Sequence, residues 1–437
     1  MKPVNVGLLG LGTVGGGTLN VLTRNAKEIS RRAGSEIRVT HAAARDYNAE
    51  ELLGIDNVAV TDDAFAVVNN PDVDIVVELI GGYSPARELV LQAIENGKHV
   101  VTANKALIAL HGNEIFEAAE KQGVMVAFEA AVAGGIPIIK AVREGLTANR
   151  IEWIAGIING TGNFILTEMR DKGREFADVL QEAQHLGYAE ADPTFDVEGI
   201  DAAHKLAILG SLAFGIPLQF DKTYTEGIAR IEPQDVNYAE QFGYVIKHLG
   251  VARKTEKGIE LRVHPTLIPK RRLIANVDGV MNAVLVKGDA VGPTLYYGAG
   301  AGSEPTASAV IADIVDVSRV LNSDPENHVP HLAFQPSQLA ATEVLSMQDI
   351  VTGYYLRMAV KDRPGVVSQV TGILGELQIS IEAIQQKEPP EGEDHASLVM
   401  LTQPVTENNM QQAIEKIQAL DSIIGDVVMI RVELLDS

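Results

Sequence analysis

"VNVGLLGLGTVGGGTLNVLTRNA", residues 4–26, decides how the chain begins to fold. The apolar run over 4–10 reads as a buried strand, and the residues after the glycines take up helical spacing. Gly10, Gly12 and Gly15 stand in G-x-G-x-x-G register between that strand and that helix. Alone, the pattern also suits any glycine-rich turn. Between a strand and a helix it predicts a dinucleotide site, because glycines allow a tight turn and let the backbone approach a pyrophosphate at the helix N-terminus. Thr13 and Val14, inside the turn, join the three glycines as expected cofactor contacts.

Outward from this stretch, short apolar runs at 37–46, 74–82, 98–105 and 124–131 alternate with helical segments. One of these, "SPARELVLQAIENG" (84–97), has proline at its start and glycine at its end. The alternation predicts a parallel α/β dinucleotide-binding domain over 1–135. At the end of the second strand, "AAARD" presents Arg45 and then Asp46. An arginine fork suits a 2′-phosphate and an acid suits free ribose hydroxyls, so NADP is expected, with NAD possible.

From 136 to 303 the pattern is mixed, with helices expected at 163–172, 174–186 and 200–214 and strands at 259–269 and 281–291. That predicts an α+β region. An amphipathic helix at 304–321 is expected to complete the first domain. Residues 322–350, rich in Pro, Asn, Gln and Ser, read as a linker. Residues 351–437 follow the order βαββαβ, a ferredoxin-like unit of its own, with "PPEGED" (389–394) as a turn.

Composition narrows the function. Of 437 residues none is cysteine, so thiolate nucleophiles, thiolate zinc sites and disulfides are excluded. The net charge of −22 argues against nucleic acid as a partner. No window is apolar and long enough for a membrane span, and the N-terminal residues lack a signal-peptide pattern, so a cytoplasmic location is expected.

Two lysines stand out. Lys105 follows a strand and opens a helix, where a cation opposes the helix dipole at a cost of a few tenths to about 1 kcal/mol. An exposed lysine could tolerate that; in the crevice outside the strand ends it could instead meet substrate or nicotinamide. Lys205 lies four residues after Asp201 on the expected helix 200–214, a spacing that also suits an ordinary surface ion pair. Upstream, the proline-bearing stretch "AEADPTFD" presents Glu190, Asp192 and Asp196, acids that could hold an ammonium group. A lysine among them could exchange a proton with an alcohol.

Taken together, "GLGTVG", "TANKALIA", "FEAAVAGGIPI", "NGTGNFIL", "GYAEADPTFDVEGIDAAHK", "YYGAGAGSEPTASAVIADI" and "KDRPGVV" make the chain resemble bacterial homoserine dehydrogenases with a C-terminal ACT regulatory domain. The resemblance covers essentially the whole chain and makes 136–303 the substrate, catalytic and dimerisation domain. It implies reversible NAD(P)-dependent oxidation of L-homoserine to L-aspartate 4-semialdehyde, on the route to threonine, methionine and isoleucine. By position it makes Lys205 the proton donor and acceptor, Lys105 the lysine beside cofactor and substrate, and Asp201 a supporting acid. Glu190 would hold the substrate amino group, with Asp196, Gly160 and Thr161 completing the substrate site. Thr102 and Gly302 would touch the cofactor. Glu129, Val132, Gly134 and Ile136 would hold a monovalent cation, Na+, mainly through carbonyl oxygens. Gly365, in "KDRPGVV", would mark the turn where an ACT unit binds an amino acid between paired copies, which implies threonine as effector and a homodimer or homotetramer. Two other readings remain open at this point: a ligand-binding regulator that has lost catalysis, and an oxidoreductase for another amino or hydroxy acid.

Overall fold

The computed structural model describes residues 3–321, 323–387 and 395–436; the expected turn at 389–394 lies outside them. The chain opens with a six-stranded parallel sheet built from β1 (Val4–Leu9), β2 (Ile37–Ala43), β3 (Ala59–Thr61), β4 (Ile75–Glu78), β5 (His99–Thr102) and β6 (Val126–Ala127). Its order, β3-β2-β1-β4-β5-β6, is that of a doubly wound dinucleotide-binding sheet. The order reverses between β1 and β4, so the ligand crevice lies outside their carboxyl ends. β3 is too short to leave a clear apolar run. The strand expected over 124–131 stops at Ala127, because Glu129 turns away and spends its carboxylate on the amides of Ile139 and Lys140. The helix Ser303–Val320 packs on this domain: Val310, Ile314 and Val317 share a core with Val6, Leu8, Ile75 and Val77.

The second sheet contains β7 (Ile151–Ile157), β8 (Tyr224–Thr225), β9 (Tyr244–Lys254), β10 (Ile259–Pro269), β11 (Met281–Gly288) and β12 (Gly292–Ala299). It continues through β13 (Val351–Lys361), β14 (Ile381–Gln386), β15 (His395–Thr402), β16 (Val405–Thr406) and β17 (Ile423–Val432). The main path runs β12-β11-β7-β9-β10-β17-β13-β15-β14, with β8 on β10 and β16 on β13. The run expected as one strand over 281–291 ends at Gly288, and the chain returns as β12.

The C-terminal βαββαβ unit has the ferredoxin-like strand order, with helices Val366–Glu376 and Glu407–Gln418. It is not detached. β17 pairs in parallel with β10 at Thr266↔Arg431 and Leu267↔Val432, so its sheet extends the central one. The stretch before it is likewise packed down: Leu332 and Val344 join the main core, and Val126 donates its amide to His331 Nε2 at 3.1 Å.

Candidate active site

Three chain segments meet at one buried carboxylate. The first is the helix Lys105–Gln122. Its cap is Asn104, whose Oδ1 accepts the Leu107 amide while Nδ2 donates to the Gly82 carbonyl, and this fixes Lys105 as the first helical residue. The second is the helix Gly160–Lys172, capped by Asn159, whose Oδ1 accepts the Gly162 amide at 2.7 Å. The third is the helix Ile200–Phe214, buried at every residue from Asp201 to Phe214. An all-round buried helix is a core element, and Asp201 and Lys205 therefore do not form a surface pair. Their residues are 4% and 9% exposed.

Asp201 holds both lysines. Its Oδ1 lies 3.0 Å from Lys105 Nζ, and its Oδ2 accepts from Lys205 Nζ at 2.7 Å and from Asn159 Nδ2 at 2.9 Å. Lys205 Nζ also donates to the Ile158 carbonyl at 2.7 Å. Asn159 Nδ2 donates to Asp196 Oδ1 at 2.7 Å, which ties the acid-rich loop to the same point. Lys105 is the more open of the two lysines, its side chain 33% exposed and its ammonium 5.6 Å from the centre of the Phe195 ring.

The electrostatics separate the lysines. Burial lowers the Lys205 value, the like charge of Lys105 adds to this, and Asp201 only partly opposes it; the net shift is downward. For Lys105 burial also lowers, but Asp201, Asp196 and Glu190 outweigh it and the net shift is upward. Burial pushes the Asp201 carboxyl up, yet the two lysines and the Asn159 amide overcome this and hold it well below the usual carboxylate range. Asp196 moves the other way, raised mainly by burial. A strongly charged acid between two lysines of opposite tendency suits proton exchange on one side and charge stabilisation on the other.

The acid-rich loop sorts its own residues. Asp192 accepts from the Thr194 amide and hydroxyl, closing the single helical turn Thr194–Val197. Glu190 is exposed, close enough for its charge to act on Lys105. Thr161 donates its hydroxyl to the Tyr188 carbonyl at 2.6 Å and so anchors the loop. Gly160 leaves no room for a side chain, since a Cβ there would sit 2.7 Å from the Val280 carbonyl oxygen.

At the glycine turn, Gly10 has φ +97°, and a Cβ on Gly15 would lie 1.9 Å from the Gly10 carbonyl oxygen. Gly12 faces open space, and no side chain caps the helix Thr13–Arg24, leaving its first amides, with Thr13 and Val14, free for an anion. These features fit a pyrophosphate. Gly302, at φ +123°, opens the helix Ser303–Val320 beside the turn, where Ser303 donates its hydroxyl to the Thr13 carbonyl. Arg45 is exposed just past the end of β2. The Thr102 hydroxyl is buried; it donates to Glu78 Oε2 at 2.7 Å and accepts the Asn104 amide at 3.0 Å, which leaves the Thr102 backbone as the part that faces a nucleotide.

In the loop 129–136, both Glu129 carboxylate oxygens accept backbone amides, and burial beside Asp313 pushes this carboxyl up to about 7. Among the described residues, the Val132 and Gly134 carbonyls accept no hydrogen bond, while those of Glu129 and Ile136 each accept one. Free carbonyls beside buried acid are the donor set a hard monovalent cation would take. Side-chain clusters of three or more His, Cys, Asp or Glu residues able to hold a metal are absent among the described residues.

Asn159, the Ile158 carbonyl, Phe195 and Glu78 were not singled out from the sequence. An asparagine directly before a helix is a cap signal that could have marked Asn159.

Comparison with known proteins completes the picture. Residues 10–129 match the family model for the homoserine dehydrogenase NAD-binding domain, residues 137–315 that for homoserine dehydrogenase, and residues 354–422 that for the ACT domain. The chain is 66% identical to homoserine dehydrogenase from Pseudomonas aeruginosa over 436 residues, 100% of both chains. The chain belongs to the homoserine dehydrogenase family. A crystal structure of a homoserine dehydrogenase from Thiobacillus denitrificans, also 66% identical, superposes with a TM-score of 0.95 over 100% of this chain and 99% of that one. A hyperthermophilic archaeal homoserine dehydrogenase in complex with NADPH is 26% identical, with a TM-score of 0.61 over 72% of this chain and 98% of that one. As a homoserine dehydrogenase the protein is a pyridine-nucleotide oxidoreductase acting on a CH–OH group. No helix among the described residues is long and apolar enough to cross a membrane.

Proposed function

We propose that Lys205 moves the proton in the interconversion of L-homoserine and L-aspartate 4-semialdehyde. The observation that carries this is the pair of lysines on Asp201 with opposite shifts. In the oxidising direction neutral Lys205 takes the hydroxyl proton, and Asp201 and the Ile158 carbonyl steady the ammonium that forms. In the reducing direction the same ammonium returns a proton to the aldehyde oxygen. Lys105 stays charged and stabilises negative charge developing on that oxygen. Glu190 and Asp196 receive the substrate ammonium, and Gly160 and Thr161 shape the wall beside it. The bound nicotinamide accepts or supplies the hydride.

Gly10, Gly12, Thr13, Val14 and Gly15 hold the pyrophosphate, Gly302 borders the nicotinamide, and Thr102 contributes backbone alone. Arg45 favours NADP, a choice supported by the NADPH named with the archaeal relative. Glu129, Val132, Gly134 and Ile136 would hold Na+ through their oxygens, in a loop packed so closely on Gly300 that a Cβ on Gly134 would lie 2.5 Å from its carbonyl oxygen. The ACT unit binds threonine as feedback effector near Gly365, whose φ of +93° opens the helix Val366–Glu376. Its product feeds threonine, methionine and isoleucine formation, and the enzyme works as a homodimer or homotetramer in the cytoplasm. The assay that tests this reading follows nicotinamide absorbance with homoserine, NADP or NAD, and added threonine. Homoserine-dependent NADP reduction supports it; equal turnover of an unrelated hydroxy acid would overturn the substrate, and no response to threonine would overturn the effector.

A further inference from the structure

The catalytic helix is held from behind by a set of contacts that begins in the C-terminal unit. Arg431, on β17, is 1% exposed and already has a carboxylate within its own unit: its Nε and Nη2 donate to Glu407 at 2.9 and 2.6 Å. Its remaining fork reaches across to the central region, where Nη1 donates to Glu226 Oε2 at 2.6 Å. Tyr224 donates its hydroxyl to the same oxygen at 2.8 Å and lies with its ring 5.1 Å from the Arg431 guanidinium carbon. Since Glu407 answers the charge of Arg431 bidentately, the bond to Glu226 is a tie between units rather than a requirement for burying the arginine.

Glu226 then meets the site through its backbone. Its carbonyl lies 2.9 Å from His248 Nε2, and because a carbonyl only accepts, that nitrogen carries the proton. Nδ1 of this buried ring has no partner among the described residues. The ring sits where the two catalytic helices begin. A Cβ on Gly199 would be 2.9 Å from His248 Cε1, and one on Gly162 would be 3.6 Å from Nδ1. Gly199, at φ +82°, opens the helix that carries Asp201 and Lys205, and Gly162 donates its amide to Asn159. The adjoining residues close a second contact: Ile228 donates its amide to the Val197 carbonyl at 2.9 Å, one residue past Asp196.

We propose that His248 and Glu226 are positioning residues for the reaction: they seat the turn Val197–Gly199, and the Arg431–Glu226 bond makes that seating depend on the place of the C-terminal unit. This goes beyond feedback by an effector, because the tie operates in the uninhibited enzyme; it rests on the reading of Lys205 and Asp201 as the reacting site. Rigid contact through successive hydrogen bonds and close packing is the physical route by which such dependence travels.

The test uses full-length Glu226→Gln, His248→Leu, the double variant, His248→Gln, and Lys205→Met as a control on the underlying reading. Glu226→Gln keeps the carbonyl and the shape but removes the charge facing Arg431; His248→Leu removes the bond to the carbonyl. Each single variant should lower kcat/KM for homoserine roughly 3- to 20-fold, within the range of coupling between contacting groups, while KM for NADP and the thermal midpoint stay near wild type. His248→Gln, which keeps an N–H donor, should recover most of the loss, and the double variant should be no worse than the poorer single one. Unchanged homoserine kinetics, equal damage to NADP binding, failure of His248→Gln to recover, or additive losses in the double variant would each overturn the proposal. If Lys205→Met itself left turnover near wild type, the reading of the site would fall instead, and the two failures are distinguishable.

Discussion

Asp201 binds two lysines through its two oxygens, and burial weighed against the nearby charges separates their fates. Lys205 is enclosed, and burial brings its value below the ordinary 10.5; Lys105 is more open, and Asp201, Asp196 and Glu190 outweigh burial so that its value rises. The pH dependence follows with a definite sign. With Lys205 as the proton carrier, oxidation needs its neutral form, whose fraction grows with pH, so kcat should rise with pH with a midpoint below 10.5. Asp201 raises the Lys205 value, so Asp201→Asn should move the rise to lower pH. Lys105 lowers it, so Lys105→Met should move the rise to higher pH, both on a reduced kcat. A pH–rate profile for the three proteins checks this, and shifts in the reverse directions would contradict it. Asn159, which separates Asp196 from Asp201 while donating to both, has a matching expectation: Asn159→Ala should cost about 1–3 kcal/mol of stability and lower homoserine turnover, read by thermal unfolding and steady-state kinetics.

At the scale of elements, the glycine turn was legible because its chemistry is local. Gly15 must lack a side chain to let the Gly10 carbonyl pass at 1.9 Å from where a Cβ would be, and spacing alone reveals such a requirement. Gly15→Ala should therefore raise KM for NADP by at least about tenfold while leaving the C-terminal unit folded, measured by nucleotide titration and circular dichroism. The helix Ile200–Phe214 was legible from the same kind of local pattern, but its burial was not, and burial is what sets Asp201 and Lys205 apart from a surface pair and makes them the proposed reacting site. β9 shows the converse difficulty. Its Lys247 and His248 break an apolar run, and only the fold reveals that both are buried, Lys247 donating to the Val277 carbonyl at 2.6 Å. The Thr102 hydroxyl shows the same: its bond to Glu78, distant in sequence, is visible only in the fold. The cation loop carries no side-chain signature at all, since carbonyl oxygens look alike in any sequence.

At the scale of the molecule, the order of units along the chain was readable from composition, while their union was not. Two register pairs join β17 to β10, and ion pairs flank the seam: Arg357 donates to Asp235 and Glu232, and Arg253 to Glu433. Such partners are more than a hundred residues apart and leave no periodic trace. Their consequence is that any effector bound to the C-terminal unit would meet a sheet shared with the catalytic region. The proposed cation belongs to this scale too, because the loop 129–136 packs the first domain against the end of β12: Gly135 donates its amide to the Ala299 carbonyl at 3.0 Å. Exchanging Na+ for a bulky organic cation at equal ionic strength should lower both kcat and the thermal midpoint. Linkage at a hundredfold excess over Kd amounts to about 2.7 kcal/mol, and no change in either quantity would remove the cation from the account.

The central claim is that Lys205 carries the proton, and steady-state oxidation of homoserine by Lys205→Met measures it most directly. The expected result is a loss of kcat of about 10²- to 10⁴-fold with KM for NADP near that of wild type, the range typical of a lost general acid–base group. A kcat within a few-fold of wild type, on a protein that still binds NADP, would contradict it.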